Sequence, residues 1–272
     1  MIRVDGTAQT VVPATDRGLA YGDGVFRTLT AIGGRPRHWR HQYERLAADC
    51  RSLALPAPDR AFLEREIALV AGDAARCVVK ITVTGGSGAR GYRRPDAPQT
   101  TVIVASSAYP DYPATCRAEG VAVHACTIRL ALQPALAGVK HLNRLQNVLA
   151  RSEWNDPDVR EGLMRDAAVR LVCGTMSNVF LVEDDRLVTP ALDRCGVAGA
   201  TRAVLLEAAA QRARTVAIED VAWDRVLRAN EVLLTNSVIG VWSVRRIGDH
   251  ALPRGRMADE LNRWLDEADE TA

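Results

Sequence analysis

The chain has 272 residues, 47% of them hydrophobic, and its 35 basic and 33 acidic side chains leave a net charge of +2. That length allows one large or two ordinary domains with a sizeable core, and the near-balanced charge gives no support for a nucleic-acid or membrane-surface partner. No apolar run reaches the roughly 20 residues of a membrane span, and Met1 to Val12 has no apolar core behind positive charge, so neither a span nor a signal peptide is expected.

The 6 cysteines are scattered without a Cys-x-x-Cys pair, and the 5 histidines include no metal-spaced pair beside a carboxylate. Reduced thiols, no metal and a cytoplasmic location are the expectation. Ile2 to Val4 reads as a short strand. Between Asp16 and Gly24, three glycines and two aspartates in nine residues forbid a long helix and point to a tight, shaped loop. Phe26 to Ile32 alternates as a strand. Trp39 to Leu53 reads as a helix with Tyr43, Leu46, Ala47 and Cys50 on one face and Arg45 within it. Ala61 to Ala71 is a second helix. Cys77 to Val83 and Thr100 to Ser106 are strands around the glycine cluster Gly85 to Gly91. That cluster lacks the Gly-Lys-Ser/Thr ending of a P-loop, so alone it reads as a loop. Its arginines and Tyr92 could bind a carboxylate.

The Pro-rich stretch Ala108 to Pro113 breaks the pattern and marks a boundary. A smaller α/β domain over 1–107, a linker over 108–118 and a larger α/β domain over 119–272 are expected, the last carrying Lys140. Val121 to Ile128, Glu161 to Arg165, Val179 to Val182 and Leu187 to Pro190 read as strands. The turn Cys195 to Gly199 opens an Ala/Leu-rich helix running to about Ala213, which makes a ready anion site. Thr215 to Ile218, Glu231 to Thr235 and Val241 to Arg246 are further strands, the second ending in Asn236-Ser237, and Met257 to Ala268 is a closing helix. Strands and helices mix without a strict βαβ rhythm, so a Rossmann oxidoreductase loses support.

One stretch stands apart: Gly138-Val139-Lys140-His141-Leu142-Asn143-Arg144-Leu145. Arginine supplies nearly all the positive charge of the chain, and its only lysines are Lys80 and Lys140. Leu145, Val148 and Leu149 give the following segment an apolar helical face, and Asn143 is a good N-cap. Lys140 is then expected just ahead of a helix N-terminus, where a neutral amine is favoured and can act as nucleophile or base. Arginine could not form a Schiff base at that place. A privileged lysine, a glycine turn at a helix start, a Thr-Asn-Ser strand end and a phosphate-competent arginine together suit an aldehyde cofactor with a phosphate tail.

The chain resembles the fold-type IV pyridoxal-phosphate family, and within it the aminodeoxychorismate lyases. The motifs are Asp16-Arg17-Gly18 with Tyr21 to Phe26, Gly86 to Tyr92, the Lys140 stretch, Gly174 to Phe180, and Thr189-Pro190 to Arg202. The resemblance implies two α/β domains with the cofactor at their interface, in a cytoplasmic homodimer with a small-molecule substrate. It makes Lys140 the Schiff-base lysine and Arg45 a phosphate ligand. Val197 and Ala198 would donate backbone N–H groups to the phosphate, joined by Asn236 and Ser237. The implied reaction converts 4-amino-4-deoxychorismate to 4-aminobenzoate and pyruvate, a step of folate biosynthesis. Arg90, Tyr92 and Asn143 are the candidates for substrate contact. The alternatives are an aminotransferase of the same fold acting on D-amino or branched-chain acids, and a non-catalytic homologue that binds pyridoxal phosphate. One position departs from the family pattern: Cys173 stands where a Glu usually precedes Gly-Thr-Met-Ser-Asn and pairs with the pyridine nitrogen. A thiol supports a pyridinium poorly.

Overall fold

The computed structural model describes residues 1–184 and 186–270. The chain divides into two compact units, Met1–Pro110 with Val139–Asn143, and Asp111–Gly138 with Arg144–Ala272.

The first unit contains β1 (Ile2–Val4), α1 (Arg17–Tyr21), β2 (Gly24–Ile32), β3 (Arg35–Pro36), α2 (Trp39–Ser52), α3 (Arg60–Ala71), β4 (Arg76–Thr84) and β5 (Thr101–Ala108). The strands form one antiparallel sheet in the order β1-β5-β4-β2-β3. Its core follows the expected periodicity. Leu46 and Cys50 of α2 and Leu63 and Ile67 of α3 pack on Leu29, Val79 and Ile81 of the strands. Asp59 caps α3 by accepting from Phe62 N at 2.8 Å. The glycine-rich stretch after Asp16 is not all loop. Asp16 accepts from Gly18 N at 2.8 Å and starts the five-residue α1, which stops at Gly22 in the left-handed region (φ 65°).

The second unit contains α4 (Thr115–Ala118), β6 (Val121–Leu130), α5 (Leu145–Arg151), β7 (Val159–Asp166), β8 (Arg170–Gly174), β9 (Asn178–Glu183) and β10 (Arg186–Pro190). It continues with α6 (Ala200–Gln211), β11 (Val216–Glu219), β12 (Val221–Ala222), α7 (Trp223–Arg228), β13 (Glu231–Asn236), β14 (Gly240–Ile247), β15 (His250–Ala251) and α8 (Met257–Glu270). The sheet runs β11-β10-β9-β13-β14-β6-β7-β8-β12, with β15 on β14. It is parallel at β6–β7, β6–β14 and β10–β11 and antiparallel elsewhere. Helices α6 and α8 share a core with Phe180, Leu187 and Leu233. No helix among the described residues is long and apolar enough to cross a membrane.

The segment 139–143 groups with the first unit. Phe26 N donates to Lys140 O and Leu142 N to Gly24 O, both at 2.9 Å, and Val139 is buried in the first core. The helix does not start at Asn143. It starts at Leu145 with Arg144 as its cap residue, while the Asn143 NH₂ donates to Gly22 O at 3.2 Å and ties that side chain back to the first unit. In the single chain Ala150 is the buried residue of α5, while Leu145, Val148 and Leu149 are exposed.

An irregularity in β6 is held by one carboxylate. The β6–β7 register shifts between Ala125 and Arg129, and there Glu153 accepts from Thr127 N (2.6 Å) and Ile128 N (2.9 Å), beside His124. Burial raises its pKa, but these hydrogen bonds outweigh it and hold the carboxyl down at about 2. A carboxyl depressed on folding stabilises above its unfolded value near 4.5 and loses that contribution as pH falls toward 2. Urea unfolding at pH 7 and pH 3 is expected to show a shallower acid loss for Glu153→Gln than for the parent. The difference should be about 1–3 kcal/mol, and equal losses would remove Glu153 from the account.

Candidate active site

In the first unit, Lys140 is half-buried in an irregular strap, and both of its peptide groups are fixed. Its N–H donates to Asp49 Oδ2 at 3.1 Å and its carbonyl accepts from Phe26 N at 2.9 Å. Its Nζ lies 4.6 Å from the centroid of the Phe26 ring, a cation–π distance. Lys80 lies 5.0 Å from the same centroid. The only two lysines of the chain therefore share one aromatic face residue.

Helix α2 brings Arg45 and Asp49 together one turn apart. Asp49 forms a buried salt bridge with Arg27 of β2. Burial pulls Arg27 down and Asp49 up, each toward neutrality, and each one's charge opposes that shift in the other. Neither residue stood out in the sequence, because their pairing depends on a strand-to-helix contact 22 positions apart.

The Asp16-Arg17-Gly18 motif is a clamp. Asp16 accepts from Thr84 Oγ1 at 2.7 Å, and the buried Arg17 donates to the carbonyls of Gly91 (3.1 Å) and Tyr92 (2.8 Å). Asp23 is shared by Arg17 and Arg94. Burial alone would raise the Asp23 carboxyl, and the two guanidiniums bring it below its ordinary value. The clamp holds Gly85 to Arg94 as a shaped loop. At Gly86 (φ +65°) a Cβ would come within 1.7 Å of Gln99 O, so only glycine fits. Arg90 is exposed on that loop, and Tyr92 is 86% exposed with its ring 5.3 Å from Tyr21. Asn143 is exposed, with its amide committed to Gly22.

In the second unit, the turn before α6 is braced by Asn178, which donates to Val197 O (2.8 Å) and accepts from Gly199 N (2.9 Å). Ala198 is not a free donor: its N–H goes to Gly138 O at 2.9 Å. The donors that lack an intrahelical acceptor lie further on, at Ala200 and Thr201 in the first turn of α6. The Thr201 hydroxyl is 2.9 Å from that of Ser237. The Asn236 oxygen accepts from Val238 N (2.8 Å) and Ile239 N (3.0 Å), so this side chain shapes its turn.

Glu161 was read only as part of a strand. It is buried and accepts from Gly162 N, Thr175 N, Met176 N and Ser177 Oγ at 2.8–3.2 Å, and also from Thr175 Oγ1. It fixes the turn joining β8 to β9. Cys173 lies in the buried part of β8 among Cys126, Met164 and Val172.

In the first unit the strap presents a primary amine, a group that can react with an aldehyde. In the second unit the start of α6 presents N–H groups without an intrahelical acceptor beside two hydroxyls, a setting that suits an anion. Residues 24–247 match the family model for amino-transferase class IV. The chain belongs to the amino-transferase class IV family. Its mixed α/β units have the fold-type IV architecture. An aminodeoxychorismate lyase of Vibrio harveyi is 34% identical over 248 residues, 91% of each chain. The crystal structure of 4-amino-4-deoxychorismate lyase from Pseudomonas aeruginosa is 44% identical, with a TM-score of 0.93 and 98% of each chain covered. A hypothetical aminotransferase from Mycobacterium tuberculosis, in its PLP-bound form, shares the class IV fold at 20% identity and a TM-score of 0.79, over 97% of this chain and 94% of that one.

Proposed function

We propose that the protein is an aminodeoxychorismate lyase that converts 4-amino-4-deoxychorismate to 4-aminobenzoate and pyruvate. The observation that carries the reading is Lys140, an amine held in a rigid strap, in a class IV chain that shares 44% of its residues with one such lyase. Pyridoxal phosphate is the cofactor, and when bound it supplies a sink for the electron pair left as a carbon–hydrogen bond breaks.

Lys140 is the residue to meet the aldehyde. Arg45, the first-turn N–H groups of Ala200 and Thr201, and the Thr201 and Ser237 hydroxyls are the candidates for the phosphate. Val197 and Asn236 then serve by shaping the flanking turns. As general base, the Lys140 amine takes the proton from the amine-bearing ring carbon. The carbon–oxygen bond on the neighbouring carbon breaks, the enolpyruvyl group leaves and becomes pyruvate, and the ring becomes aromatic. Arg90 and Tyr92, exposed on the clamped loop, are assigned to the substrate's carboxylates and ring, with Asn143 supporting the strap. The exposed Leu145, Val148 and Leu149 stripe favours a homodimer.

Cys173 bears on which reaction wins. Transamination needs a carbanion that survives to be reprotonated elsewhere, whereas this elimination is driven by aromatisation. A thiol at Cys173 therefore costs aminotransferase activity more than lyase activity. The test supplies pyridoxal phosphate and 4-amino-4-deoxychorismate without any keto-acid acceptor. Equal amounts of 4-aminobenzoate and pyruvate are expected. In Cys173→Glu the ratio of D-alanine or branched-chain transamination to lyase turnover is expected to rise about tenfold or more, since a nearby opposite charge shifts a pKa by roughly 1–3 units. Turnover that appears only with a keto-acid acceptor would identify an aminotransferase instead, and an unchanged ratio would remove the role of Cys173.

A further inference from the structure

We infer that Asp49 is a positioning residue for Lys140: its carboxylate, secured by Arg27, fixes the Lys140 main chain and with it the direction from which the amine meets an aldehyde. The inference rests on the reading of Lys140 as the reactive amine.

Lys140 lies in neither a helix nor a strand, so no ladder sets its backbone. Two contacts do that. Its carbonyl accepts from Phe26 N, and its N–H donates to Asp49 Oδ2. The first is a backbone contact that any side chain at 26 would provide. The second depends on one side chain, and that side chain is an unusual choice. Asp49 and Arg27 have side-chain exposures of only 6% and 3%. For packing alone, an apolar pair of similar size would serve as well or better, because two buried charges carry a desolvation cost. What an apolar pair would lack is an acceptor for the Lys140 N–H.

The geometry also explains why the acceptor stays in place. Asp49 is anchored on α2, a 14-residue helix whose inner face is locked by Leu46 and Cys50. Arg27 is anchored at the centre of β2, and its guanidinium holds the same Oδ2 that receives the Lys140 N–H. Rotation of the Asp49 side chain away from Lys140 would therefore break a buried ion pair. The Phe26 ring, adjacent in sequence to Arg27, lies against the Lys140 amine. One strand thus fixes the Lys140 carbonyl and flanks its amine, while one helix fixes its N–H.

The test uses pyridoxal, which lacks the phosphate, so that anion contacts do not enter the result. The apoprotein is mixed with pyridoxal and reduced with borohydride, and the label on Lys140 is followed by peptide mass spectrometry. Asp49→Asn keeps an oxygen acceptor, and Asp49→Ala removes it; both leave Arg27 without its counter-charge, so the loss of the ion pair is common to the two. Labelling of Lys140 is expected to be at least tenfold slower in Asp49→Ala than in the parent, and within threefold of the parent in Asp49→Asn. The double variant Arg27→Met/Asp49→Leu removes the charges and fills the space. It is expected to melt near the parent and label as slowly as Asp49→Ala. Equal rates in the alanine and asparagine variants would overturn the inference, as would parental labelling in the folded double variant. Absence of label on Lys140 in the parent would instead overturn the reading of Lys140 and the inference with it.

Discussion

Lys140→Ala is expected to lower 4-aminobenzoate formation by at least about a thousandfold, at the upper end of what a general base contributes, because the same amine also serves the cofactor aldehyde. The substitution is clean for a structural reason. The two hydrogen bonds that fix the strap belong to the main chain of Lys140, so alanine retains both. What is lost is the amine and its contact with Phe26, about 0.5–2 kcal/mol of cation–π interaction. Melting is therefore expected within a few degrees of the parent. Lys140→Arg is expected to be as inactive, since a guanidinium stays protonated and can neither accept a proton nor meet an aldehyde. The visible band that appears when pyridoxal phosphate is added to the parent should be missing from both variants. Addition of a small primary amine should return part of the lost turnover to the alanine variant, because the strap and the space beside Phe26 remain. Turnover above a tenth of the parent in either variant would exclude Lys140 from the chemistry.

Lys140 stands out in the sequence because its signal is local and chemical: a lysine kept in a chain that otherwise uses arginine. The helices α2, α3 and α6 were legible for the same kind of reason, each having an apolar stripe of period 3.6 or a clear start. What was not legible depends on partners distant in sequence. Asn143 has the chemistry of an N-cap, but the helix starts one residue later, at Arg144 and Leu145, and the Asn143 NH₂ donates to Gly22, 121 positions away. The bond from Ala198 N–H to Gly138 O joins positions 60 apart, and nothing local announces it. Arg27 looks like one alternating position of a strand until Asp49 is placed opposite it. Strand β8 was passed over between its neighbours, since Arg170 to Gly174 carries no alternation that separates it from the turn that follows. Asp49, Asn178 and Glu161, which the sequence did not single out, each hold another residue's backbone.

Glu161 is the extreme case, and Glu161→Ala is expected to be among the costliest single changes in the second unit. The carboxylate is buried and receives five donors, three from backbone N–H groups and two from hydroxyls. Alanine leaves those donors facing a void, and a buried group that loses a charged partner costs roughly 3–5 kcal/mol. At about 2–4 °C per kcal/mol for a domain of this size, melting should fall by roughly 6–20 °C. Glu161→Gln should recover little of it, because one of the two acceptor oxygens becomes an NH₂ and points a donor at donors. The damage should also reach the cofactor. The turn that Glu161 holds is tied by Asn147 at Thr175 O and by Asn236 at Met176 O, and it leads directly into Asn178, which braces the Val197 to Gly199 turn ahead of α6. Loosening it frees the N-terminus of α6, so pyridoxal phosphate should dissociate about tenfold or more faster, by the roughly 1–3 kcal/mol that a lost buried hydrogen-bond partner carries. Thr175→Val separates the two effects, since it deletes one hydroxyl donor and leaves the carboxylate and the other four donors in place. It should cost about 1 kcal/mol and leave cofactor retention near that of the parent. Melting of Glu161→Ala within about 2 °C of the parent would mean that the turn is held by Asn147 and Asn236 alone, and Glu161 would then be a replaceable member of the network.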